Sequence, residues 1–356
     1  MEKRKVTILY DAIEDRHQEE AKERGEKLKP LVSEEIERVL AKRGHEVRRL
    51  AASADPAALA RALSKDSGDA IFNVCEAIAG VNQQEQNVAA LLELFGKRYT
   101  GAPPIGLALA QDKALAKKIL QFHGIRTPKF MLMHAGALDH ADALEFPLFV
   151  KPSNEDASIG IDAGSVVRDL KELMERISYV QTEFGAPALV EEFIDGRELY
   201  IGIIEGERVE PLPVLEWDFS KLPEGTPRIA SSEAKWEDDN PIYQNTPELF
   251  PDDLSEEVVK AMQEAAVEAF RVLKLRDYGR VDMRLRTSGE RKRKTGRKGN
   301  GGNGASKDWE FHVIEVNPNP HLASGGELAL AARQRGMSFP DLVEGILARA
   351  LARPGR

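Results

Sequence analysis

A single cysteine, Cys75, stands among 356 residues. An internal disulfide is excluded, and Cys75 has no Cys or His neighbour at metal-ligand spacing. Long apolar runs are missing too, since no window approaches the roughly 18 uninterrupted residues that a membrane-spanning helix requires. Met1-Glu2-Lys3-Arg4-Lys5 leads into the short apolar stretch Val6 to Tyr10, which Asp11 closes before it reaches the length of a signal-peptide core. A cytoplasmic protein is expected. Positive charge is not in excess: 50 Lys and Arg against 59 Asp and Glu give a net charge of -9. That balance repels a phosphate backbone, so nucleic acid is not the expected partner. Finally, no Gly-x-Gly-x-x-Gly follows the first apolar run. Asp11-Ala12-Ile13-Glu14-Asp15-Arg16 stands there instead, which argues against a dinucleotide fingerprint.

What is present alternates. Val6 to Tyr10, Val47 to Leu50 and Ala70 to Val74 read as strands, separated by helical patterns at Leu28 to Leu40 and Pro56 to Leu63. That is the order of a parallel, Rossmann-like α/β sheet. Thr100-Gly101-Ala102-Pro103-Pro104 is a turn-rich break. Beyond it come a helix at Lys113 to Phe122, strands at Thr127 to Leu132 and Phe146 to Pro152, a polar loop to Gly160, a helix at Leu170 to Phe184 and a strand at Ala188 to Phe193. Glu198 to Ile204 and Val209 to Val214 flank the turn Glu205-Gly206-Glu207 as a hairpin. A helix over Leu254 to Leu273 is expected to be capped by Asp253, with Glu256 three residues on. Two last strands, Gly279 to Arg286 and Trp309 to Val316, bracket the basic, glycine-rich patch Arg291 to Gly304. The patch reads either as a polyanion-binding arm or as an insertion at a hairpin tip. The insertion weighs more, because doubling a loop costs only about 0.6 kcal/mol.

Strand periodicity places Glu315 and Asn317 on one face, and Asp282 on the same face as Arg280. Three oxygen ligands without His or Cys suit Mg2+, which takes its remaining ligands from water and phosphates. Lys113 opens a helix, Lys151 ends an apolar strand before a polar loop, and Lys235 lies in Ser231-Ser232-Glu233-Ala234-Lys235-Trp236. Singly, each of these residues reads as surface.

Their order carries more. Phe149-Val150-Lys151-Pro152, Val190-Glu191-Glu192-Phe193-Ile194-Asp195-Gly196-Arg197-Glu198 and Ile314-Glu315-Val316-Asn317-Pro318-Asn319-Pro320 resemble the ATP-grasp superfamily. Tyr99-Thr100-Gly101, Asp112-Lys113 and Gly124-Ile125-Arg126-Thr127-Pro128 resemble its D-alanine-D-alanine ligase branch. The resemblance implies a Rossmann-like unit over 1–106, then a central ATP-grasp unit over 107–194 and a C-terminal one over 195–356, the latter with the insertion at 287–308. It implies ATP held between two antiparallel sheets. Lys113 and Lys151 would meet its phosphates, Glu191 and Ile194 its adenine and Glu198 its ribose. Lys235, on a loop, would reach the γ-phosphate, and Ser158 keeps its place in the loop after Lys151. Asp282, Glu315 and Asn317 would hold Mg2+ (or Mn2+), facing Lys113 and Lys151 across the cleft, and Arg280 would face a developing oxyanion. The implied reaction joins a small carboxylate to an amine through an acyl phosphate, in a protein that pairs as a homodimer through its N-terminal unit.

Departures fall on the substrate side. No glycine-rich, glutamate-bearing loop follows the first strand, Ala157 replaces a serine and Trp236 a tyrosine, Asp156 replaces a glycine, and Glu76 and His321 stand at altered positions. Ala157 and Trp236 cannot rebuild the family's amine-orienting hydrogen bonds. His321 is a candidate titratable group at the reaction centre, or a polar rim residue. A ligase of different specificity and an ATP-binding regulator therefore stand beside D-alanyl-D-alanine synthesis.

Overall fold

The computed structural model describes residues 2–23, 30–155, 158–223, 225–231, 240–287 and 309–353. Leu28, Asp156, Ala157, Lys235, Trp236 and the basic patch lie outside them.

Strand β1 (Lys5–Asp11) is the centre of a parallel sheet, flanked by β2 (Glu46–Ala52) and β3 (Ala70–Val74). Both faces of β1 are covered, and every residue after Lys5 is buried. Val6, Ile8 and Tyr10 pack on α2 (Val32–Lys42), whereas Leu9 faces the opposite cluster, with α3 (Pro56–Lys65) and α4 (Glu85–Leu94). Gly44, at φ 93, turns the chain after α2. The charged stretch from Asp11 to Arg16, where the sequence shows no loop motif, belongs largely to a helix, α1 (Ala12–Glu23). Its sparse apolar residues gave no helical stripe to read.

After α5 (Pro104–Gln111) and α6 (Lys113–Phe122), a five-stranded antiparallel sheet forms in the order β5-β4-β8-β6-β7. Its strands are β4 (Phe130–His134), β5 (Ala137–Ala141), β6 (Leu148–Pro152), β7 (Val166–Val167) and β8 (Ala188–Glu192). Strand β4 begins three residues later than the expected Thr127, because Pro128 lacks an N–H for a ladder. Helix α7 (Leu170–Phe184) covers one face: Leu173, Ile177 and Val180 meet Leu148, Val150 and Val190.

The second antiparallel sheet runs β11-β10-β9-β12-β13. It comprises β9 (Arg197–Glu205), β10 (Val209–Trp217), β11 (Glu248–Leu249), β12 (Tyr278–Thr287) and β13 (Trp309–Asn317), with the short α8 (Pro241–Gln244) before β11. Helix α9 (Glu256–Val272) packs on it. Its N-cap is Ser255, whose Oγ accepts from the Val258 N–H, and not Asp253, which is held by Arg197. Helices α10 (Glu327–Gln334) and α11 (Phe339–Ala352) close the chain. Phe339, Val343 and Leu347 of α11 return to the α2 face of the parallel sheet. No helix among the described residues is long and apolar enough to cross a membrane.

Candidate active site

Alternation sorts each strand of the second sheet into two faces. Leu199, Ile201 and Ile203 of β9, and Val281, Met283 and Leu285 of β12, join α9 in the core. Glu198 and Tyr200, and Arg280, Asp282 and Arg284, are therefore turned to the other face. Strand β13 needs one device more. Val313 belongs to the core, and strict period two would send Glu315 there as well. A β-bulge intervenes: Met283 pairs with Val313 but Asp282 pairs with Glu315, leaving Ile314 as the extra residue. Past the bulge it is Val316 that enters the core, and Glu315 shares the site face with Asp282.

On the first sheet, Val150 and Val190 face α7, leaving Phe149, Lys151 and Glu191 toward the second sheet. Between the two sheets lies a cleft lined by residues of both. Lys151 and Glu191 wall one side, and Glu198, Asp282 and Glu315 the other. Ser158 and Ile194 line it too. Ser158 adopts φ 63 and donates from Oγ to the Ala230 carbonyl at 2.9 Å, fastening its loop to the segment that leads toward Lys235.

The charges interlock. Arg280 binds both oxygens of Asp282, at 2.7 and 2.9 Å, and lies 3.3 Å from Glu327. Burial works against the Arg280 charge, but Asp282 and Glu327 hold its pKa well above the ordinary value. Asn317 donates from Nδ2 to Asp282 Oδ2 at 3.1 Å, which leaves its amide oxygen to another partner. Asp282 and Asn317 thus meet, with Glu315 opposite Asp282 in the ladder.

Lys113 departs from expectation. Rather than facing Glu315 across the cleft, its Nζ is 2.8 Å from Glu315 Oε1 and donates to the Glu155 carbonyl at 2.5 Å. Lys113 opens α6, and its side chain reaches the end of β13. One turn on, Lys117 is 3.1 Å from Glu191 Oε1, and Lys151 is 3.4 Å from the same oxygen. Burial lowers the Lys117 pKa, against the pull of Glu191. Lys117 escaped the sequence reading, although its spacing of four from Lys113 puts both on one helix face.

Two further residues add to the reading. Arg284 pairs with Glu198 Oε2 at 2.5 Å, while the Tyr200 hydroxyl donates to Glu198 Oε1 at 3.0 Å. His321 lies on the loop after β13, reachable by solvent. Crowding by protein atoms holds its pKa below the ordinary value, with Glu327 and Glu35 pulling upward and Arg280 downward.

Among the described residues no group of three or more His, Cys, Asp or Glu is placed to hold a metal ion. Asp282, Glu315 and Asn317 are two carboxylates and an amide, an all-oxygen set whose chemistry fits Mg2+ or Mn2+ sharing its shell with phosphates and water.

Residues 114–292 match the family model described as D-ala D-ala ligase C-terminus. A D-alanine-D-alanine ligase of Syntrophotalea carbinolica is 31% identical over 89% of this chain and 90% of its own length. That of Cupriavidus taiwanensis is 30% identical over 77% of this chain and 74% of its own. A Sinorhizobium fredii protein, y4sG, described as uncharacterized, is 32% identical over 80% of this chain and 75% of its own. The crystal structure of the Bacillus anthracis D-alanine-D-alanine ligase complexed with ATP superposes with a TM-score of 0.69, covering 98% of this chain and 97% of that one at 20% identity. The bulge-set acidic face, the lysine-lined sheet opposite it and these matches agree, and the chain belongs to the D-alanine-D-alanine ligase family of ATP-grasp proteins.

Proposed function

We propose that this chain is an ADP-forming ligase that activates a small carboxylate with ATP as an acyl phosphate and joins it to an amine. The observation that carries the reading is the cleft itself, with lysine on one sheet and an oxygen-only ligand set on the other. A carboxylate that attacks a γ-phosphate brings like charges together, and cations with fixed donors offset the repulsion. Lys151 and Lys113 serve the phosphates, Lys113 by leaving Glu315. Glu191 and Ile194 take the adenine and Glu198 the ribose. Lys235 reaches the γ-phosphate. Asp282, Glu315 and Asn317 hold the cation, which when bound neutralises phosphate charge. Arg280 steadies the tetrahedral oxyanion as the amine attacks, and His321 stands ready as a neutral base. In this reading 1–106 supplies the carboxylate site, 107–194 and 195–356 clasp ATP, and two copies pair through the N-terminal unit.

D-alanyl-D-alanine is the first product to test. A different amino acid or peptide is favoured by one observation: at the carboxyl ends of β1 and β3, burial together with Glu76, Asp11 and Asp15 pushes the Glu14 carboxyl up to about 8. So acidic a surround suits a substrate with more positive charge than alanine. Mg2+-dependent phosphate release, measured over D- and L-amino acids and dipeptides with product mass from the same wells, decides. Release with D-alanine and the dipeptide mass establishes D-alanyl-D-alanine synthesis. Release only with another acid or amine reassigns the substrate. ATP binding without stimulated release by any of them refutes ligation.

A further inference from the structure

We infer that Lys117 is a positioning residue that keeps Glu191 neutralised from behind the cleft wall, so that Lys151 can leave this carboxylate for the phosphates of ATP. The inference rests on the ATP reading above and assigns a task to a lysine which that reading does not use.

Two lysines share one oxygen. Lys117 Nζ is 3.1 Å and Lys151 Nζ 3.4 Å from Glu191 Oε1, and neither is aligned as a hydrogen bond. Both contacts are charge pairs without directional hold, of the kind that exchanges readily. The two lysines differ in where they can go. Lys151 lines the cleft and lies 5.9 Å from the centre of the Phe149 ring, on the open side of β6. Both are buried, but Lys117 does not line the cleft and its Nζ also points to the Ile314 carbonyl at 3.4 Å. The bulge that sets Glu315 thereby supplies a carbonyl that anchors Lys117.

Charge logic gives this difference a consequence. Glu191 is 3% exposed, and a carboxylate so buried is costly to leave without a cation. If Lys151 were its sole partner, every phosphate bound by Lys151 would strand Glu191, and that penalty would be subtracted from nucleotide affinity. With Lys117 fixed in place, Lys151 moves at little cost. Lys117 thus acts on ATP through two other side chains and touches none of its atoms.

Calorimetric titration with the non-hydrolysable analogue AMP-PNP and Mg2+ tests this without turnover, using wild type, K117M, E191Q and the double variant. K117M should weaken binding about tenfold, and the same change in the E191Q background less than about twofold, because no carboxylate is left to trap Lys151. K117R, which keeps the cation, should remain within about threefold of wild type. If K117M does not fold, K117Q replaces it in the same cycle. An equal loss in both backgrounds, or K117M binding as wild type does, overturns the inference while the ATP reading stands. A wild type that binds no analogue overturns the ATP reading itself, and this inference with it.

Discussion

Glu14 sits near Asp11, Asp15 and Glu76, and the proton it keeps has a stability consequence. Its folded pKa of about 8 is raised from 4.5, first by burial and then by these neighbours. The folded state therefore holds the proton more tightly than the unfolded chain. The associated stabilisation is complete below pH 4.5 and is lost as the pH climbs to about 8. Glu14→Gln should match wild type in thermal unfolding at pH 4 and exceed it at pH 9 by about 1–3 kcal/mol, solvent screening included. A variant no more stable at pH 9 would remove Glu14 from the acidic surround. At the other end of the site, Glu315→Gln should lower the rate of phosphate release by at least about a hundredfold while the far-ultraviolet circular dichroism is unchanged, since one cation ligand and the partner of Lys113 are weakened together. Activity near wild type in Glu315→Gln would remove the metal role.

At the scale of elements, α6 positions two lysines, and a single cap sets where it begins. Asp112 accepts from the Leu115 N–H at 2.9 Å, directly before Lys113. Asp112→Ala should cost about 1 kcal/mol in urea unfolding, and it should raise the KM for ATP more than it lowers kcat, because the first turn of α6 carries Lys113. Asp112→Asn, which keeps an accepting oxygen, should restore both. Much of the element order was legible because its signals are local. Short apolar runs marked β1 and β3, turn chemistry marked the β9-β10 hairpin, and apolar positions at helical spacing marked α7 residue for residue. Helix α1, the late start of β4 and the cap at Ser255 were not legible, since charge density hid the first, a proline delayed the second, and Asp253 stands two residues ahead of the true cap. The bulge at Ile314 was hidden for a deeper reason. It depends on the partner strand, which sequence periodicity within β13 does not contain. The identities of Asp282, Glu315 and Asn317 could be read; the device that turns Glu315 out of the core could not. Lys117 was passed over because, seen alone, a helix lysine reads as solvent-facing.

Across the whole molecule, the parallel sheet and the second antiparallel sheet share one continuous core, in which Leu9 and Ile71 belong with Ile201 and Val281. A buried polar joint accompanies it. Asp277, 1% exposed, takes the Arg353 guanidinium at 2.5 and 3.0 Å and the Gly101 N–H at 2.9 Å. Asp277→Ala should cost about 1–3 kcal/mol in chemical unfolding, because it leaves the buried Gly101 N–H without its acceptor and Arg353 with the Tyr99 carbonyl alone. A loss below about 1 kcal/mol would show the joint to be incidental. Gly101 has its own constraint there. At φ 94 its missing Cβ would lie 2.7 Å from Asn319 Oδ1, so a side chain at 101 would displace Asn319.

Asn319 accepts from the Ala102 N–H at 3.2 Å and donates to Glu85 at 2.5 Å, two residues after Asn317. The end of β13 is therefore stitched to Glu85 and Ala102, near which burial, with Asp11, Glu85 and Glu76, raises the Cys75 thiol. On the reading proposed above, an amino acid bound at those carboxylates would lie beside the segment that carries Asn317 and Asn319. On that reading the two substrate sites share a wall. Occupancy on one side becomes an effector of the other, and by reciprocity the factor by which nucleotide tightens the amino acid equals the factor by which the amino acid tightens nucleotide.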